Sequence, residues 1–125
     1  MPNQVHEFHG IRILACAGEG PLLRSGQDAI DLISQAGRDR VALFAIPTSR
    51  LGEDFFRLET RTAGEFLQKF VTYGFQIAIV GDVSSYVSNS RALSSFVAES
   101  NRGRNICFVG TFDELLKRLE TASRV

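Results

Sequence analysis

Few side chains in this chain are equipped for chemistry, and they sit in polar stretches between apolar runs. Asp54, Glu59 and Asp82 are the carboxylates that an acid/base reaction would have to use. Hydroxyls stand near them in the sequence, at Thr48, Ser49, Thr60 and Thr62 on one side and Ser84 and Ser85 on the other. The histidines are His6 and His9. Three apart on a strand, they would point to opposite faces, and two ligands without a third make no metal site. With no histidine near the serines, a Ser-His-Asp or Cys-His relay has no base. No catalytic set, metal or cofactor is therefore expected.

Cys16 and Cys107 lie inside apolar runs, as small buried hydrophobes of a reducing compartment do. A disulfide between them would require neighbouring strands. There is no CxxC and no HExxH, and no GxGxxG or Walker pattern follows an apolar run. A Rossmann or P-loop nucleotide site has no support.

The elements that must position these groups can be read from the apolar pattern. At 125 residues the chain is a single domain, 1–125, long enough to bury an ordinary core. It is 44% hydrophobic and 22% charged, the composition of a soluble globular protein. Fourteen basic residues balance 14 acidic ones. That excludes the basic excess of a nucleic-acid footprint and permits self-association. The segment MPNQVHEFHG has no basic n-region, and the apolar runs are strand-sized rather than membrane-sized. A cytoplasmic protein without membrane contact is the expectation.

Four apolar runs, Ile11 to Ala17, Val41 to Ile46, Phe75 to Val80 and Ile106 to Val109, read as strands. Val5 to His9 alternates and would pair with the first as a hairpin turning at Gly10. Helical spacing connects Ala29, Leu32, Ile33 and Ala36, with Ser25 as N-cap and Gly37 past the end. Ala63, Phe66, Leu67, Phe70 and Val71 form the clearest stripe, opened by a Thr62–Glu65 capping box and stopped at Gly74. A third helix carries Leu93, Phe96 and Val97 and ends at Gly103, where a left-handed residue is expected. A fourth opens with a Thr111–Glu114 capping box, with a fraying tail after Glu120. The fold class is α/β: a mixed, mainly parallel sheet of about five strands with about four helices and an N-terminal hairpin strand.

In parallel sheets ligands bind at the carboxyl ends of the strands. Here those ends lead into Thr48-Ser49, Asp82 with Ser84 and Ser85, and Gly110-Thr111. The long connection from Thr48 to Arg61 leaves from the same rim and carries Asp54, Phe55, Phe56, Glu59 and Thr60. Thr48, Ser49, Asp54, Phe55, Phe56, Glu59, Thr60, Thr62, Asp82, Ser84 and Ser85 form the expected ligand or partner surface. Phe55 and Phe56 would also serve to anchor the connection to the core. The stretch Asp82 to Ser88 reads as a polar loop.

The runs Asp54-Phe55-Phe56, Ala63-Gly64-Glu65, Leu67-Gln68-Lys69-Phe70, Ala78-Ile79-Val80-Gly81-Asp82 and Glu99-Ser100-Asn101-Arg102-Gly103, with Gln27-Asp28-Ala29, resemble a bacterial family called domain of unknown function 4180. The resemblance spans nearly the whole chain and implies no activity, cofactor or catalytic residue. The order of elements is also similar to the STAS domains of anti-sigma factor antagonists. That similarity implies a mixed sheet with helices mainly on one side, and a phosphorylatable serine or threonine after a central strand. Here that region reads Pro47-Thr48-Ser49-Arg50-Leu51-Gly52, without the usual aspartate. A phosphate on Thr48, Ser49 or Thr62 would find Arg50 and Arg61 in the same segment. The expected function is a STAS-like regulatory or protein-interaction domain without catalysis. The alternatives are a small-molecule-binding protein or carboxylate enzyme at the same rim, and a homodimer formed through the connection.

Overall fold

The computed structural model describes residues 3–36 and 39–123. Its sheet has five strands in the spatial order β1-β2-β3-β4-β5. These are β1 (Gln4–Phe8), β2 (Ile11–Ala15), β3 (Leu43–Pro47), β4 (Gln76–Val80) and β5 (Ile106–Val109). β1 runs antiparallel to β2, and the other pairs are parallel. The hairpin turns through His9 and Gly10, with φ of 50° and 79°. Two successive positive φ values give the strand twist that a two-residue turn needs. His9 thus belongs to the turn and not to the strand.

Five helices accompany the sheet: α1 (Gly26–Ala36), α2 (Thr62–Thr72), α3 (Ser84–Ser88), α4 (Arg91–Arg102) and α5 (Phe112–Ser123). The expected polar loop after Asp82 is thus in part the short helix α3. Ser25 caps α1 as expected: its Oγ accepts from the Asp28 N–H at 3.2 Å, and Asp28 accepts in return from Arg24 and Ser25. Gly37 lies outside the described residues. Gly103 ends α4 with φ −88°, so it is not left-handed. α5 continues past Glu120 to Ser123. No helix among the described residues is long and apolar enough to cross a membrane.

Strands added in sequence order by right-handed crossovers place every crossover helix on the same face. The side chains agree. Leu14, Phe44, Ile46, Ile77 and Ile79 point to a first face, where Ala29 and Leu32 of α1, Phe66 and Phe70 of α2, and Leu93 of α4 cover them. The alternate residues Ile13, Leu43, Ala45, Ala78, Cys107 and Val109 point to a second face, covered by Leu115 and Leu119 of α5. Cys16 belongs to the first core and Cys107 to the second, and both are free thiols.

β5 is an edge strand, and its outer polar groups are not left bare. The Asn101 side chain accepts from the Phe108 N–H at 2.7 Å and donates to the Phe108 carbonyl at 3.2 Å. One amide thereby takes the place of a neighbouring strand and blocks pairing by another chain. The Asn101 carbonyl accepts from Arg118 Nη2 at 2.6 Å, which ties α5 to the same corner.

Candidate functional site

At the carboxyl rim the connection from β3 to α2 folds as three 3-10 turns, Thr48–Arg50, Glu53–Phe56 and Leu58–Thr60. The first fastens a neighbouring loop. Ser49 Oγ donates to the Gly18 carbonyl at 2.7 Å. Arg50 donates from Nε to Pro21 at 2.9 Å and from Nη1 to Ala17 at 3.1 Å. Arg50 is therefore already engaged with main-chain carbonyls. Thr48 lies against Gly81, which has φ 146°, and a Cβ at Gly81 would overlap the Thr48 side chain. The rim is closed tightly there.

The second turn corrects the expected surface. Phe55 and Phe56 are only 1% and 4% exposed, so they are core residues and not available to a partner. Phe55 meets Phe66 of α2 edge-on at 6.0 Å. Phe56 stacks on Tyr86 of α3 at 4.3 Å, with the rings 12° apart. This stack joins the connection to the segment after Asp82. Tyr86 was missed in the sequence, where its signal was one aromatic in a serine-rich stretch. The polar side chains Glu53, Asp54, Arg57, Glu59 and Thr60 remain exposed around the buried pair. The ion pair of Arg57 with Glu53, at 3.9 Å and exposed, adds little stability.

The entry into α2 also differs from the expected capping box. Arg61, at φ 63°, occupies the N-cap position without a side-chain cap bond, and Thr62 is already helical. The hydroxyl in use is that of Thr60, shared between the carbonyls of Asp54 at 2.6 Å and Arg57 at 2.7 Å. It closes the 3-10 turns onto themselves. Helix α5, by contrast, forms its box one residue wider: Thr111 Oγ1 accepts from Glu114 N–H at 3.1 Å, and Glu114 accepts from Gly110 N–H at 2.7 Å.

Asp82 Oδ1 accepts from the Ser84 N–H at 2.9 Å. Hydrogen bonds from the Ser84 side chain and backbone hold its carboxyl below the usual carboxylate range. Ser85 contributes its carbonyl, which accepts from Ser88 and Asn89. Asp54, Glu59 and Asp82 are all exposed, and no polar or charged side chain among the described residues is buried. A cavity of about 300 Å³ lies between Leu22–Arg24 and Gly52–Phe55, with Thr62 on its wall. Among the described residues no three His, Cys, Asp or Glu side chains gather as a metal site.

Fold and rim together define a mixed-sheet α/β domain whose outward polar groups sit on a closed carboxyl rim. Residues 8–119 match the family described as Domain of unknown function (DUF4180), and the chain belongs to that family. No curated protein and no solved structure matches the chain. The residues that carried the family resemblance have structural tasks here. Phe55, Phe56, Leu67 and Phe70 fill the first core, Asp82 holds the start of α3, and Asn101 closes the β5 edge.

Proposed function

We propose that this is a STAS-like regulatory domain that acts by binding another protein, and that its binding surface is the shelf formed by the 53–61 turns and α3. The observation that supports this reading is the way the shelf is held. Phe55 and Phe56 are sunk in the core, while Glu53, Asp54, Arg57 and Glu59 project from a base fixed by the Thr60 hydroxyl. Charged side chains on an ordered base recognise a partner by complementary charge with little ordering cost. Helices mainly on one face of a mixed sheet accord with the STAS comparison. A carboxylate reaction at this rim is the weaker reading, because Asp82 is engaged at Ser84 and stands in solvent.

The test is affinity capture from native lysate by wild type and by an Asp54→Lys/Glu59→Lys variant of matched thermal stability. A polypeptide retained by wild type should fall by at least about tenfold with the variant, since reversed charges oppose its encounter and its seating. Equal recovery by the two proteins would overturn the assignment.

A further inference from the structure

The amino rim of the sheet carries a second concavity, independent of the shelf. It has a volume of about 460 Å³, within the range of small-molecule sites. Its floor takes one or two residues from each of four strands: Ile11, Leu43, Gln76 with Ile77, and Cys107. Leu115, Arg118 and Leu119 of α5 form its roof. The hollow has a physical origin. The crossover helices occupy the first face, which leaves α5 to cover the second.

The charged side chains in the cavity lining are cationic, and Glu114 of α5 is the carboxylate near enough to act on Cys107. Among the described residues the lining holds Arg104 and Arg118 but no Asp or Glu, in a chain whose total charge is zero. Arg118 is fixed at the mouth by its bonds to the Asn101 and Gly103 carbonyls, at 2.6 and 3.1 Å. Arg104 is exposed and has no side-chain partner among the described residues. Burial pushes the Cys107 thiol up, so this wall stays neutral. An apolar hollow with cationic groups at one end suits a molecule with an apolar tail and one anionic head. A sugar or nucleotide would leave polar groups unpaired against Ile11, Leu43 and Leu119. A cation would meet two guanidinium groups.

We infer that this cavity binds a small amphipathic monoanion of the medium-chain carboxylate class, its tail over Ile11, Leu43 and Leu119 and its carboxylate at Arg104. Decanoate is the probe, followed by calorimetry and by methyl NMR on the whole chain, with 1-decanol as its neutral counterpart. Decanoate should saturate one site, shift the methyl signals of Ile11, Leu43 and Leu119, and bind at least about fivefold more tightly than decanol. Arg104→Gln, an exposed change, should weaken decanoate by about fivefold and leave decanol unaltered. The Asp54→Lys/Glu59→Lys variant should bind decanoate as wild type does, so loss of the shelf reading leaves this one standing. Equal affinity for decanoate and decanol, shifts confined to other methyl groups, or no saturation at the solubility limit would each overturn it.

Discussion

The first face of the sheet is covered by several helices and an aromatic cluster; the second face is covered by α5. On the first face, Phe44, Phe66 and Phe70 meet ring against ring, and Phe55 adds to the same cluster. At the adjoining rim Ser49, Arg50, Thr60 and Asp82 each hold a main-chain group. On the second face, α5 leaves a hollow of about 460 Å³ ringed at one end by arginines. In parallel sheets the carboxyl rim is the usual place for a ligand. In this chain the turns that grew from that rim use its polar groups to hold themselves around a cavity of about 300 Å³, and a second cavity, of about 460 Å³, lies at the opposite end.

Core truncation should separate the two faces most sharply. Phe66 of α2 is fully buried against the Phe55 and Phe70 rings. Phe66→Ala should cost about 4 kcal/mol, combining lost transfer energy with a cavity that rigid neighbours cannot fill. Leu119 borders a hollow that already exists. Leu119→Ala removes fewer contacts and should cost about 2 kcal/mol. Urea denaturation of both variants at pH 7 provides the measurement. Equal losses would mean that the second face is packed as firmly as the first.

A smaller effect should come from two glycines. Gly81 has φ 146° and abuts Thr48 across the closed rim. Gly81→Ala should destabilise by about 2–3 kcal/mol through strain and overlap together. Adding Thr48→Ala should recover the overlap part and leave the strain. Gly64, inside α2, has open space where a Cβ would stand. Gly64→Ala should therefore stabilise by about 0.5–1 kcal/mol. Thermal melts of the three proteins decide the matter; a neutral Gly81→Ala would show that the rim is looser than the contact implies.

Periodicity made much of the fold legible, because β3 and β4 are apolar on both faces and α2 has a clean stripe. α3 escaped because five residues with three serines show no stripe at helical spacing. The Thr62 capping box failed because Arg61 takes a left-handed conformation on leaving the last 3-10 turn. No local pattern marks that conformation at an arginine. The paired phenylalanines stand out in the sequence, and their burial depends on contacts with Phe66 of α2 and Tyr86 of α3. The amino-rim hollow had no local signal at all. It arises from strand order, which sends the crossover helices to one face and leaves α5 to cover the other.

The finest contrast between the rims is electrostatic, and Asp82 carries it. Its carboxyl is held below the usual range by the side-chain and backbone bonds from Ser84. A group with a lowered folded value stabilises the fold above its unfolded value, about 3.9, and the contribution disappears as pH falls through the lower folded value. Asp82→Asn keeps an acceptor oxygen facing Ser84 and removes the charge. Wild type should therefore melt slightly above the variant at pH 6, and the gap should close as pH falls below about 4. The amino rim offers a control, since neutralising Arg104 changes no group that titrates in that window. Arg104→Gln should keep a constant offset from wild type over the same range. A pH-independent gap for Asp82→Asn would mean that the shape of the acceptor, and not its charge, holds the start of α3, and the carboxyl rim would then be closed by geometry alone.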